Sequence, residues 1–263
     1  MKITVFTGNS NRHFGLVNSL IEFAEQVHAV IEISDKTRIS HSAILDSPSL
    51  KQYMQHVKEA ELRYFSESNE LNKDVKVTKC PAGRLNDLLK IDLEEALDSD
   101  LFIVFGSSFI KGWLCDFLVD KNALNLHVGI SPYYRGSACN FWAVHDGNPN
   151  FVGATWHLLT QGLDDGPILF HSRPTHEDED VFNFTMKAVK SAQNDFNSNF
   201  ENLIHKRIIP EPQDSSLEIR YSRIGNFTES IAAKFLQSDY GHENLRKSIL
   251  ESAQPRLIKG KFF

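Results

Sequence analysis

At 263 residues the chain can hold one large domain or a domain with an appendage, and with 41% hydrophobic and 24% charged residues it has the balance of an ordinary folded protein. The formal net charge of −6 argues against a broad electrostatic grip on nucleic acid, and three widely spaced cysteines, Cys80, Cys115 and Cys139, make neither a disulfide framework nor a zinc signature. They are expected as reduced packing residues; no apolar run is long enough to span a membrane, and the opening Met1-Lys2-Ile3-Thr4-Val5-Phe6 is too short for a signal peptide, so a cytoplasmic protein is expected.

Residues 2–7 read as a buried strand, followed by Gly8-Asn9-Ser10-Asn11-Arg12-His13 and an apolar-periodic helix over 14–26. Backbone N–H groups at such a helix start favour an anion, which admits a phosphate or polar-substrate loop here. With no full glycine-rich dinucleotide fingerprint, the loop also reads as an ordinary strand-to-helix turn. A second strand follows over 27–33 and a polar loop over 34–45. Ser47-Pro48, a capping residue with proline at the first helical position, then opens a helix to about Phe65. Residues 74–80 are strand-like, 85–97 helical, and 100–105 a strongly apolar strand leading into Gly106-Ser107-Ser108-Phe109-Ile110. Strands alternating with helices predict an α/β fold, a Rossmann-like, mostly parallel sheet flanked by helices.

Residues 123–126 are short, mostly apolar and strand-like. Side chains two apart on a strand share a side, so Asn125 and His127 project together. An amide donor beside an imidazole can grip an oxygen that becomes negative during reaction. Residues 137–145 read as a helix. Residues 151–160 form a strand with Gly153, Thr155 and His157 on one face and Ala154, Trp156 and Leu158 on the other, and 167–171 is its candidate hairpin partner. Between them, Gly162-Leu163-Asp164-Asp165-Gly166 is a glycine-bounded loop free to turn a carboxylate toward His127, where it would favour the imidazolium. In such sheets ligands gather beyond the carboxyl ends of the strands, and Gly8, Gly106 and His127 all lie on that edge.

A long helix is expected over 178–206. Phe182, Met186, Val189, Phe196, Phe200 and Leu203 form its core-facing stripe, and acidic residues stand at its start. Pro210-Glu211-Pro212 marks a boundary, dividing a catalytic domain over 1–208 from a small C-terminal extension over 209–263. In that extension 217–222 alternates like a strand, and Asn226 with Glu229 suggests a helix start before 231–236.

Three motifs in this order, Asn125-Leu126-His127, Pro132-Tyr133-Tyr134-Arg135-Gly136 and Leu163-Asp164-Asp165-Gly166, resemble the folate-dependent formyltransferase family. That family includes glycinamide ribonucleotide, methionyl-tRNA and nucleotide-sugar formyltransferases and the related formyltetrahydrofolate deformylase. Where the family often has Ser and two Leu between the His and the Pro, this chain has Val128-Gly129-Ile130-Ser131. The resemblance implies transfer of a formyl group from 10-formyltetrahydrofolate to a primary amine of a small metabolite, by direct attack through a tetrahedral oxyanion. It implies Asn125, His127 and Asp164 as catalytic residues. Phe105, Gly106, Phe109 and Ile110, with Gly162, Leu163 and Asp165, would hold the folate. Asn9, Ser10, Asn11 and Arg135 would face the substrate, and Thr155 and His157 would stand behind the reacting groups, His157 alternatively serving only to pack.

The short tail and the acidic balance make a nucleotide-linked amino sugar the expected acceptor, with no nucleic acid, membrane or metal partner. The remaining histidines show no ligand spacing. A homodimer through the C-terminal extension is the expected assembly. Hydrolysis of the same folate is the rival reading, kept open by Gly153-Ala154-Thr155-Trp156-His157. The start of the catalytic domain at Met1, without the regulatory domain typical of the deformylase, weighs against it. A folate-binding protein without turnover is the other rival, and the three intact catalytic residues oppose it.

Overall fold

The computed structural model describes residues 1–34, 47–205, 207–239 and 241–260. Its centre is a seven-stranded sheet built from β1 (Lys2–Gly8), β2 (Gln26–Ile33), β3 (Lys76–Pro81), β4 (Leu101–Phe105), β5 (Leu124–His127), β7 (Ala154–Leu158) and β8 (Ile168–Ser172), in the order β3-β2-β1-β4-β5-β7-β8. The first five strands in that order run parallel, and β7 and β8 are antiparallel additions. The central strands β1 and β4 are buried along almost their whole length because both faces are covered. Ile3, Val5, Ile31, Ile103 and Leu126 pack on one face with α1 (Asn11–Ser19), α2 (Pro48–Phe65) and α6 (Val181–Ser198). Phe6, Val30, Phe102 and Val104 pack on the other, where Leu114 and Leu118 of α4 (Trp113–Asp120) meet Leu85, Leu93 and Ala96.

Several expected elements have different extents. The helix expected over 14–26 is α1 followed by a single 3-10 turn, Leu20–Glu22. The helix expected over 85–97 is broken into Leu85–Asp87, Lys90–Leu93 and the one-turn α3 (Glu94–Leu97). Leu88 is extended there, Asp92 Oδ2 accepts the Leu89 N–H at 2.8 Å, and Leu89 and Ile91 face solvent, so no continuous apolar stripe was present to pack. The long helix ends at Ser198; Asn199 separates α6 from α7 (Phe200–Ile204), and Lys206 lies outside the described residues. The polar loop expected over 34–45 lies outside them too, apart from Ser34. Met186, Val189, Phe196 and Phe200 are buried as the stripe required, and Asp180 caps α6 through the Asn183 N–H at 2.9 Å.

The segment that follows β5 carries its own small sheet. β6 (Tyr134–Gly136) pairs in parallel with β9 (Arg220–Ser222) of the C-terminal extension. A third apolar cluster joins Ile130, Tyr134 and α5 (Cys139–His145) to Phe227, Phe235 and Leu245 of α8 (Glu229–Gln237), α9 (His242–Glu251) and the segment before them. The extension also pairs with β8. Ile168 and Glu211 exchange backbone hydrogen bonds of 2.7 and 2.8 Å, the His171 N–H donates to the Ile258 carbonyl at 2.8 Å, and the Ile258 N–H donates to the His171 ring Nδ1 at 2.9 Å. The three cysteines are free and buried. Among the described residues no helix is long and apolar enough to cross a membrane.

Candidate active site

The last residues of β5 and the facing residues of β7 build the floor. Their antiparallel register sets Asn125 opposite His157 and His127 opposite Thr155, so all four side chains share one face. Leu124 and Leu126 point the other way, into the core. Asp164 enters from the loop between β7 and β8. It turns in with φ +50°, a left-handed conformation that an aspartate tolerates better than most residues.

His127 is buried, with Nδ1 3.2 Å from Asp164 Oδ2 and Nε2 3.0 Å from the Tyr134 carbonyl oxygen. Both ring nitrogens face acceptors, which is the arrangement of an imidazolium. Burial alone would make His127 less basic, but the Asp164 carboxylate and, to a smaller degree, Cys139 raise its pKa well above the ordinary value. Burial likewise works against an ionised Asp164, yet the charge and hydrogen bond of His127 hold it down to about 2. Asp164 Oδ2 also accepts the Gly136 N–H at 3.2 Å.

His157 is the opposite case. Burial pushes it down to about 4, so it is neutral. Nδ1–H donates to the Leu158 carbonyl at 2.8 Å, which leaves Nε2 to accept from Asn125 Nδ2 at 2.9 Å. The second amide hydrogen of Asn125 points at Asp164 Oδ1, 3.3 Å away. With an acceptor on each side the amide nitrogen must face inward, so in this structure both Asn125 donors are engaged by protein. Thr155 is a buried brace: its hydroxyl donates to the Gly129 carbonyl at 2.6 Å and accepts the Ser131 N–H at 2.9 Å, fixing the start of the loop that ends in Tyr134.

The other expected residues lie at varying remove. Arg135 donates to the Leu163 carbonyl at 2.9 Å and pairs with Glu218 at 3.0 Å, so it binds the Asp164 loop to the extension. Asn9 ties both backbone groups of Ser34 through its side chain, and Asn11 donates to the Phe65 carbonyl. The Ser10 N–H goes to His13 Nδ1 at 3.2 Å. The start of α1 already holds an anion, the carboxylate of Glu61, which accepts the Arg12 N–H at 3.0 Å and pairs with its guanidinium at 3.1 Å. The expected anion loop is thus filled by the chain's own acid.

Phe105 is a core residue edge-on to His13, and Ile110 is buried, whereas Phe109 leaves 52% of its surface exposed. Gly106 has φ +74°, and a Cβ there would lie 2.2 Å from His13 Nε2. Asp165 is exposed, its carboxylate bonded to the Thr160 hydroxyl and filling the space a side chain at Gly162 would need. Reading the sequence alone missed Glu32, a buried acid at the end of β2 that accepts the N–H groups of Gly83 and Ser108 and so fixes the 106–110 loop. An acid within the apolar run of β2 was the signal available. Among the described residues no group of three or more His, Cys, Asp or Glu is arranged to hold a metal ion.

Residues 1–196 match the family model described as formyl transferase. Among curated proteins, the methionyl-tRNA formyltransferase of Trichlorobacter lovleyi is 26% identical over 215 residues, covering 81% of this chain and 61% of that protein. The chain thus spans about three fifths of the length of the curated relatives first matched. A solved formyltransferase from Anoxybacillus kamchatkensis, in complex with UDP-4,6-dideoxy-4-formamido-L-AltNAc and tetrahydrofolate, has a TM-score of 0.51 at 16% identity, covering 93% of this chain and 97% of that one. An N-formyltransferase from Helicobacter canadensis, in complex with folinic acid and dTDP-3-aminofucose, has a TM-score of 0.53 at 15% identity, covering 87% and 73%. At these identities the solved structures bear on the fold, which is the one the alternating elements predicted.

Proposed function

The chain belongs to the formyl transferase family, and from that premise we propose that it moves the formyl group of 10-formyltetrahydrofolate onto a primary amine of a small metabolite, a nucleotide-linked amino sugar foremost. The observation that carries this reading is the meeting of Asn125, His127 and Asp164 at the sheet's carboxyl edge. The irregular 106–110 segment beside it, with the exposed ring of Phe109, suits a flat heteroaromatic group.

The folate supplies the formyl carbon and a nitrogen leaving group; the remaining work falls to side chains. His127 holds positive charge where the formyl oxygen turns negative, in surroundings dry enough for that charge to count. Asn125 turns its longer donor, the one 3.3 Å from Asp164, onto the same oxygen, and its own carbonyl oxygen orients the incoming amine. Asp164, at about 2, is a poor proton acceptor. Its part is to keep His127 charged and aimed, and the proton shed by the amine passes through water. One proton leaves the amine and one reaches the folate nitrogen as the old C–N bond breaks, so the transfer is balanced.

For the acceptor, two similar solved proteins hold nucleotide-linked sugars, and the net charge of −6 suits a transfer RNA poorly. Hydrolysis of the same folate is the second reading, favoured by the neutral His157 beside Asn125, which could steady a water. A thermal-shift screen with a folate analogue present, across amino-sugar nucleotides, simple amines and initiator methionyl-tRNA, tests the acceptor. Stabilisation by amino-sugar nucleotides is expected. Stabilisation by methionyl-tRNA alone overturns the small-metabolite reading.

A further inference from the structure

The Asp164 carboxylate meets His127 only because its loop is held in a conformation that side-chain-bearing residues seldom adopt, φ +50°. The group that holds it comes from 49 positions later in the chain, in the C-terminal extension. Gln213 Nε2 donates one hydrogen to the Asp164 carbonyl at 2.9 Å and the other to the Gly166 carbonyl at 2.8 Å. Its Oε1 is buried with no partner among the described residues. Turned over, the amide would set that oxygen against two carbonyl oxygens, so its orientation is fixed by the two donors. Two residues earlier, Glu211 exchanges both backbone hydrogen bonds with Ile168, which anchors the segment on β8.

The far side of the loop is held as well. Arg135 takes the Leu163 carbonyl, and Gly166 lies so close to β7 that an added Cβ would be 1.8 Å from the Leu158 oxygen. Asp164 is therefore gripped on both sides, and the grip at its own carbonyl belongs mainly to Gln213, since Ser131 Oγ reaches that oxygen only at 3.5 Å.

We infer that Gln213 is a positioning residue for Asp164: the two donors of a side chain in the C-terminal extension set the loop that aims the carboxylate at His127. The extension is on this view part of the catalytic geometry. The groups acting on His127 are Asp164 from the loop, Cys139 from α5, His157 from β7 and His171 from β8. Glu211 and Asp165 act more distantly, through His171 and His157. Burial holds His157 and His171 near 4, so both are neutral at neutral pH, and the position of the Asp164 carboxylate governs the charge on His127.

The inference rests on the proposed transfer for its kinetic readout alone; its spectroscopic readout does not need turnover. Two variants are compared with the wild type: Gln213→Leu, which removes the donors, and Gln213→Glu, which replaces them with acceptors. The His127 ring is followed across pH by 15N NMR, its signals assigned by their loss in His127→Gln. In both variants His127 is expected to lose its proton at least about one pH unit lower than in the wild type, with kcat down about tenfold or more and the folate KM within about threefold. A His127 titration unchanged in both folded variants overturns the inference, whatever happens to the rate. An inactive wild type with the expected NMR shift overturns the transfer reading and leaves the positioning role standing.

Discussion

Replacing Asp164 with asparagine keeps the size of the side chain and removes its charge. In the wild type the ordinary carboxyl value of 3.8 falls to about 2 on folding. That is nearly two units at 1.36 kcal/mol each, or about 2 kcal/mol of stability that Asp164→Asn forfeits. The sign follows from both partners. The depressed pKa of Asp164 gives stability that is full above 3.8 and lost as pH falls toward 2. The raised pKa of His127 gives stability that is full below 6.5 and lost as pH rises through its higher folded value.

The pair therefore contributes most between pH 4 and 6.5, as bounded by those ordinary values. Urea unfolding at pH 5.5 should show Asp164→Asn weaker by about 2 kcal/mol, and the gap should narrow above neutral pH. In the variant only the smaller effect of Cys139 opposes burial, so the His127 pKa falls and the ring gives up its proton more readily. The formyl-transfer rate should then fall about 10²- to 10⁴-fold. Equal stability at pH 5.5, or a rate within about threefold of wild type in the folded variant, would refute the coupling of this acid to this imidazole.

Other substitutions probe the rest of the site. Asn125→Ala should fold, since its amide bonds only other site groups, and should lose about 10²- to 10³-fold in kcat; a rate within threefold would remove it from the mechanism. His157→Ala frees Asn125 to turn and should lower kcat without moving either limb of the pH–rate profile above pH 5, because His157 titrates near 4; a shifted limb would assign it a charged role. Thr155→Val leaves the Ser131 N–H and the Gly129 carbonyl buried without that partner, for a loss of about 2 kcal/mol in urea unfolding. Leu217, Ile219, Tyr221 and Ile224 are exposed apolar residues on the extension, and a homodimer through this face is the expected solution state; a monomeric mass by light scattering ends that expectation.

The parts of the site legible in the sequence were those with a strict spacing. The two-residue period of a strand was enough to put Asn125 and His127 on one side, and the alternation of residues 151–160 to put Thr155 and His157 on one face; that the two faces meet comes from the antiparallel register of β5 and β7. The glycines around Asp164 announced a loop able to turn inward, though not the residue that would hold it. What escaped were partners with no local signature. The Tyr134 carbonyl and the Gly136 N–H are backbone groups, and Gln213 is an ordinary polar residue between the Glu211 bridge and a 3-10 turn, Ser215–Leu217.

In the fold, α4 was missed because Leu114, Cys115, Phe117, Leu118 and Val119 leave little polar face to set a period, and its start follows Gly112 at φ +64°. Residues 85–97 erred the other way. Leucines at near-helical spacing suggested one helix, while the local hydrogen bond of Asp92 to Leu89 breaks it. β9 lies within the strand-like 217–222, whereas β6, also three residues long, is a strand only by virtue of pairing with it.

The most direct measurement is a product balance. Purified protein is incubated with 10-formyltetrahydrofolate, with and without an amino-sugar nucleotide, and tetrahydrofolate, formamide product and formate are quantified together. Tetrahydrofolate should appear only with the amine, matched one for one by the formamide, and neither should form with His127→Ala. Formate released at the same rate without any amine, or no consumption of the folate under either condition, would contradict formyl transfer at this site.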